Sequence, residues 1–549
     1  MSVAERPREE AERNSRIRSV TQALLSRSQI GVNGVAVLAV LAVAAIAFFD
    51  FGPPLAFNDD YAYAWSARHL GAGPIYPAQT ALALPQIVVG WLVAAPFSHD
   101  QRALRLSLLI FILPGAWAAY RLARRLGAGP IWGLVSPVVL LTSPIFFNLA
   151  VSFMSDIAYV ALLLLACNAG VSWLEGNRGG ASFATWAAVA TLQRVFGIVL
   201  IPAMAIALVA QSSRTRRSVR RSEFGWLAIA LVCSALVLVI PELIGVSAGL
   251  NVADRLAHIQ PDALFSPLIH LPVVAGYLLL PFAGALSFRW SPRLAIVAVP
   301  GAALMILLLL LFPYLPGNIW TFVGPAPTLA GAKPPPLPLA IDLVLVGLCP
   351  IIFWLLGLAA SGRWVRVAAS DSRFVFLLAT SGLQLLLLLP NTLTLYDRYY
   401  LPVLAPLVPM VCALAERHGR PGAAGLAGVT CVILLGLSVI YEQDYQSWQE
   451  ARDQAARLAY RCANPGRVNA GYEANAVYIE IPEYETTGKW QLGRLGRNVN
   501  ILGPPRPDLW LEFAGPNDSR PGVRYGSVAS GKIVINGSIC SAITADVAR

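Results

Sequence analysis

Stretches of about twenty apolar residues recur along this chain, too many and too long for the interior of a water-soluble fold. Residues 31–49, 224–246, 294–313 and 339–359 are examples, and each is long enough to cross a hydrocarbon core roughly 30 Å thick. Backbone polar groups in lipid must be satisfied within the segment, so such stretches fold as α-helices. Of the 549 residues, 56% are hydrophobic and only 13% charged, against roughly 25% charged in a soluble domain. Lipid is therefore the solvent for much of the surface. The net charge of +11 does not signal nucleic acid: the basic residues lie between apolar runs, and only Lys333, Lys489 and Lys532 among 41 are lysine. A nucleic-acid site would gather them in a patch.

Basic residues collect on the cytoplasmic side of a membrane protein. The polar segment 1–30 carries six arginines, and the run after it is too long for a signal-peptide core, so it reads as an uncleaved first span entered from inside. Later clusters are Arg121/Arg124/Arg125, Arg214–Arg221, Arg289/Arg293, Arg363/Arg366/Arg373 and Arg417/Arg420. All fall inside only if 82–97, a short apolar stretch broken by Pro85 and Pro96, lies along the outer surface instead of crossing. The expected spans are then 31–49, 104–121, 130–147, 156–174, 181–192, 195–210, 224–246, 263–284, 294–314, 339–360, 374–390, 399–415 and 421–441. The expected fold is an α-helical polytopic membrane protein of about thirteen transmembrane helices. It comprises a cytoplasmic segment (1–30), a transmembrane domain (31–441, first outer loop 50–103) and a small C-terminal α+β extracytoplasmic domain (442–549) with alternating strand-like runs near 477–481 and 532–535. Five cysteines lie in apolar runs as packing residues; Cys462 and Cys540 lie in the tail, where an oxidising compartment could pair them.

This topology gathers the polar residues on the outer face. Asp59 and Asp60 follow the first span, Asp156 opens another, Arg194 lies between two short spans, Lys333 precedes the tenth, and Asp397, Arg398 and Tyr399 open the twelfth. Adjacent carboxylates suit a general base or a metal clamp, but Asp59 and Asp156 each also stand where aspartate caps a helix. An arginine beside hydrocarbon costs a few kcal/mol unless paired, and it binds phosphate bidentately; pairing of Arg398 with Asp397 is the plain alternative. A transporter would instead place such groups at mid-depth, where His270 is the main ionisable residue.

Several segments resemble one family in order. FNDDYAYAWSARHLGAG (57–73) is similar to the first outer loop of GT-C glycosyltransferases of the family-39-like branch, the protein O-mannosyltransferases and lipid A aminoarabinose transferases. RALRLSLLI (102–110), YRLARRLG (120–127), SFMSDIAYVALLLLA (152–166), LQRVFGIVLIP (192–202), YDRYYLPVLAPLVP (396–409) and GYEANA (471–476) follow. The resemblance implies a GT-C-like membrane enzyme that moves a sugar from a polyprenyl-phosphate donor to a glycan, lipid or protein acceptor on the non-cytoplasmic face, in a bacterial inner (plasma) membrane. It implies Asp59 as acceptor-activating base, Asp60 assisting it, and Asp156 as a second acid. It also implies Arg194, Arg398, Lys333 and Tyr399 as the groups around the leaving lipid phosphate. In the mannosyltransferases the acidic pair is commonly Asp-Glu, whereas here it is Asp-Asp. A divalent cation, Mg or Mn, is the cofactor that Asp59, Asp60 and Asp156 could hold. The alternative readings are a polytopic transporter or lipid flippase, and a non-catalytic scaffold that binds through its tail.

Overall fold

The structure, a computed structural model, describes residues 59–71, 81–177, 179–215, 221–243, 370–389, 397–418 and 422–463, strands at 468–469, 509–514, 522–525 and 531–536, and scattered positions between 268 and 303. The expected spans 31–49 and 339–360, nearly all of 294–314 and part of 263–284 lie outside the described residues, as do Lys333, His270 and Cys540.

The described part is mostly helical. Its helices are α1 (Asp60–Arg68), α2 (Leu84–Ala94), α3 (Gln101–Leu106), α4 (Leu109–Arg125), α5 (Pro130–Thr142), α6 (Pro144–Ala150), α7 (Ser155–Leu174), α8 (Gly180–Gln193), α9 (Leu200–Thr215), α10 (Arg221–Leu243), α11 (Ser372–Leu388), α12 (Leu407–His418) and α13 (Ala423–Cys462), with a short helical segment Asp397–Leu404 before α12. Four helical stretches are long and apolar enough to cross a membrane: Gln101–Arg125, Ser155–Leu174, Val195–Thr215 and Ala423–Ile440. Two bent pairs bring the number to six if each is one span, so this is a multi-pass membrane protein.

Both bends replace a straight helix expected from the sequence. The stretch expected as 130–147 is α5 and α6, meeting at 66°. Ser143 is extended there (ψ 133°), and its side chain accepts a hydrogen bond from Phe146 N–H. Pro144 explains the break, since proline has no N–H and disfavours helical backbone in the residue before it. The stretch expected as 399–415 is likewise broken, by 54°, between Asp397–Leu404 and α12.

The apolar stretch 82–97 forms α2 and a short 3-10 turn, Ala95–Phe97. At 1.5 Å per residue it is about 20 Å long, short of a bilayer. Its start is tied to Phe153 and Gln193 through Gln86. The turn after it receives Arg68 Nε–H on the carbonyl of His99. Both ends are thus held by the segments that carry Asp60 and Asp156.

Helix α7 is the centre of the bundle, with nearly every residue buried, as expected of a helix apolar all round. It packs against α4 and α8. The α4–α7 approach is set by Gly115, where an added Cβ would stand 2.7 Å from Ala161 Cβ and 2.8 Å from its Cα. Small residues let membrane helices approach this closely. Gly115→Val is expected to cost about 1–3 kcal/mol by overpacking and to lower the thermal midpoint of the purified protein. Gly382→Val, where an added Cβ meets nothing within 4 Å, should leave it unchanged.

At the far ends of these helices a polar network joins three of the arginine clusters. Arg125 pairs with Glu175, and Arg373 reaches Glu175 at 3.2 Å, Asp371 at 2.7 Å and the carbonyl of Arg125 at 2.8 Å. Arg417 donates to the carbonyl of Leu126 at 2.8 Å. Clusters 250 residues apart in the chain thus share one face, opposite the face that carries Asp156 at the other end of α7. Asp371 also caps α11. Partial burial raises its pKa, but hydrogen bonds and charge from Arg373, with the charge of Arg417, outweigh this and hold it below its usual value. The stability this adds is present above the unfolded-state value and lost as pH falls through the folded one. Asp371→Asn should therefore lower the thermal midpoint at pH 6, with the gap to wild type closing below about pH 4.

The helix of the last span does not stop at 441: α13 runs on to Cys462 without a break, about 60 Å in all. Its second half packs against β2 (Leu509–Ala514), β3 (Gly522–Tyr525) and β4 (Gly531–Asn536), which with β1 (Val468–Asn469) form a sheet of order β1-β2-β4-β3. The β1–β2 pair is parallel and the other pairs are antiparallel. Cys462 is disulfide-bonded; its expected partner, Cys540, lies outside the described residues.

Candidate active site

Three carboxylates meet at one face, and each is matched by its own arginine. Asp59 stands at the N-cap position of α1, yet its side chain makes no cap hydrogen bond. Instead Arg398 Nη2 donates to its Oδ2 at 3.2 Å. Arg398 comes from the turn before α12; its backbone N–H donates to Asp397 Oδ1 at 2.7 Å, and its guanidinium lies 5.4 Å from the centre of the Tyr399 ring. Arg398 thus meets Asp397 through its backbone N–H and Asp59 through its guanidinium.

Asp60 is fully buried. Its Oδ2 accepts from Phe153 N–H at 3.3 Å, Gln101 Nε2 at 3.4 Å and Arg105 Nη2 at 3.5 Å. These contacts fasten α1 to α3 and to the turn that opens α7. The two adjacent acids are therefore separated in environment: Asp60 is locked in protein, while Asp59 keeps a side-chain exposure of 14%.

Asp156 occupies the first turn of α7, at the positive end of the helix dipole. Met154 holds the N-cap position, so Asp156 is not the cap. Arg194 Nη2 donates to its Oδ2 at 2.9 Å; its Oδ1 is buried without a partner among the described residues. Arg194 sits at an extended break (φ −146°, ψ 133°) between α8 and the 3-10 turn Val195–Val199. It also donates to Ser155 Oγ through Nε at 3.1 Å and Nη2 at 2.8 Å, and Ser155 in turn donates to Tyr63 Oη at 3.2 Å. A glutamine pair supports the same corner: Gln193 Nε2 donates to Gln86 Oε1 at 2.9 Å and to the carbonyl of Ser155 at 3.1 Å.

The charges of Asp59 and Asp156 both act on Arg398, so the two pairs form one electrostatic unit. Asp59, Asp60, Asp156, Arg194, Arg398 and Tyr399 come together; Lys333 lies outside the described residues. Arg105, Ser155 and Gln86 were not singled out in the sequence. Arg105 carried a usable signal, an arginine 1% exposed at the head of an apolar run, which must find a partner. The donor set does not suit a divalent ion: the three acids diverge to separate arginines, and the described residues contain no group of three His, Cys, Asp or Glu placed to hold a metal.

The fold and site define a polytopic helical membrane protein with three acid–arginine pairs, at least two of them electrostatically joined, on one membrane face. Residues 87–244, which carry Arg105, Asp156 and Arg194, match the family described as dolichyl-phosphate-mannose-protein mannosyltransferase. That match supports the resemblance to GT-C membrane glycosyltransferases read from the motifs. No curated protein matches the chain. Similar solved structures include ArnT from Cupriavidus metallidurans bound to undecaprenyl phosphate, at 15% identity and TM-score 0.39 over 91% of this chain and 98% of that one. The apo state of ArnT from the same organism gives 16% identity and TM-score 0.35 over 91% and 97%. At these scores neither supplies a residue-by-residue correspondence.

Proposed function

We propose that the chain is a membrane glycosyltransferase that moves a sugar from a polyprenyl-phosphate carrier to an acceptor hydroxyl on the non-cytoplasmic face. The observation that carries this reading is the meeting of Asp59, Asp156, Arg194 and Arg398, from four separate stretches of chain, on one face. The family match over residues 87–244 supports a lipid-phosphate-linked donor.

Asp59 is the base. It is the most accessible of the three acids, and it takes the proton as the acceptor oxygen bonds to the sugar's anomeric carbon. The bond from that carbon to the carrier phosphate breaks, and its electron pair leaves with the phosphate oxygen. Arginine stabilises charge that develops there. Arg398 and Arg194 fill this role, with Tyr399 and Lys333 as further candidates; Arg194 Nη1 has no partner among the described residues and is a donor left for an anion. Asp156, with Oδ1 unpartnered, orients the acceptor or the sugar.

Asp59 Oδ2 accepts a hydrogen bond from Arg398. When the carrier phosphate draws Arg398 to itself, Asp59 is released to accept the proton, which couples donor binding to activation of the base. The disulfide at Cys462 supports an oxidising compartment for the tail, and thereby the division into a membrane domain (31–441) and an extracytoplasmic domain (442–549) below about thirteen spans.

The test is transfer by the purified, reconstituted chain from radiolabelled undecaprenyl-phosphate sugars, mannose first, to acceptors in a membrane extract. Sugar appearing in product only with wild-type protein supports the reading. Movement of the intact lipid across vesicles without glycosyl product would replace it with a flippase.

A further inference from the structure

We propose that Glu442 is a positioning residue: from the middle of α13 it acts on Arg105 and thereby tunes the charge around Asp60 and its neighbour Asp59. The role assigned to the acids rests on the glycosyltransferase reading above; the Glu442–Arg105 coupling does not.

Glu442 lies just beyond the apolar part of α13 and is fully buried. Gln446 Nε2 donates to its Oε1 at 2.6 Å. Glu442 Oε2 and Gln446 Oε1 are buried without partners among the described residues. Position fixes what this acid faces. Val151 and Phe147 pack against Val439 and Leu435, a turn or two before Glu442, and two residues after Val151 the N–H of Phe153 binds Asp60. Arg105 donates to the same Asp60 oxygen, and its charge acts on Glu442. One buried arginine thus serves two buried carboxylates from helices at opposite ends of the chain.

The other elements that pack on this part of α13 are α5, α6 and the turn Leu280–Phe282, and none carries a titratable side chain. The strands packed on the helix carry Glu512, Arg524, Tyr525 and Lys532. Burial raises the Glu442 pKa, while Gln446 and Arg105 pull it back, leaving it at about 7. Near neutrality the residue therefore changes charge. Neutral Glu442 leaves Arg105 fully positive beside Asp60. Ionised Glu442 offsets that charge, so proton transfer in the acidic pair's neighbourhood meets less opposing positive charge.

Two experiments on full-length protein separate the coupling from the reaction. The first needs no substrate. An acid whose pKa is raised on folding contributes stability below its unfolded value of 4.5 that is lost as pH rises through about 7. The thermal midpoint of wild type should fall across this range. Glu442→Gln should remove that fall, and Arg105→Gln should move it to higher pH. A Glu442→Gln profile parallel to wild type, or one unmoved by Arg105→Gln, overturns the coupling.

The second measures transfer from undecaprenyl-phosphate mannose at saturating donor. Wild type should speed up through pH 7. Glu442→Gln should match it at pH 5.5 and be about tenfold slower at pH 8, and Glu442→Asp should restore the rise. Equal loss at both pH values, or no rescue by aspartate, overturns the positioning role. If wild type itself transfers no sugar, the glycosyltransferase reading fails, and the thermal profiles still decide the coupling.

Discussion

Asp59→Asn is expected to cut sugar transfer by about 10²–10⁴-fold, the usual contribution of a positioned general base, with little loss of stability. The geometry sets this division. Asp59 is partly exposed and pairs with Arg398, whereas the neighbouring Asp60 is buried and accepts three hydrogen bonds, from α3 and from the turn that opens α7. Asp60→Asn should therefore show the opposite balance, a marked fall in thermal midpoint together with lost transfer. A labelled-donor assay beside a thermal melt of each variant reads both quantities. Asp59→Asn protein that transfers at the wild-type rate would remove Asp59 from the chemistry.

The second large effect falls on the Asp156–Arg194 pair. Removing one partner of a buried pair leaves a charge without compensation and costs about 3–5 kcal/mol. Arg194→Gln leaves Asp156 buried at 0% exposure without its cation, and should lower the thermal midpoint markedly. Adding Asp156→Asn removes the stranded charge, so the double variant should melt at a higher temperature than Arg194→Gln alone. Transfer should not recover, because both the phosphate donor and the orienting acid are gone. A double variant less stable than either single one would show that the pair is not the unit described.

Much of this arrangement is legible in the residues themselves. The basic clusters around Arg125, Arg373 and Arg417 were assigned to one side by the bias of arginine in loops, and they bond to one another through Glu175, Asp371 and the carbonyls of Arg125 and Leu126. The same bias laid 82–97 along the surface. Order in the chain brought the acids to the opposite face, but spacing could not tell a helix cap from a base; the absence of a cap hydrogen bond at Asp59 does. The Asp60–Arg105 pair was hidden because it closes across 45 residues, a tertiary event that local pattern does not encode. The run of α13 beyond 441 was missed for another reason. Hydrophobicity ends there, which marks the end of a span and not of a helix, and the alanine, glutamine and arginine that follow are good helix formers.

The bond between Arg398 and Asp59 joins residues 339 positions apart, while α4, α7 and α8 pack within a single early stretch. During synthesis the Asp156–Arg194 half of the site can thus assemble long before Arg398 leaves the ribosome. Asp59 waits for its cation until the twelfth expected span is inserted. A chain halted before that point carries the Asp60–Arg105 and Asp156–Arg194 pairs but not Arg398, so the cation that meets Asp59 is the last charged group of the site to be made.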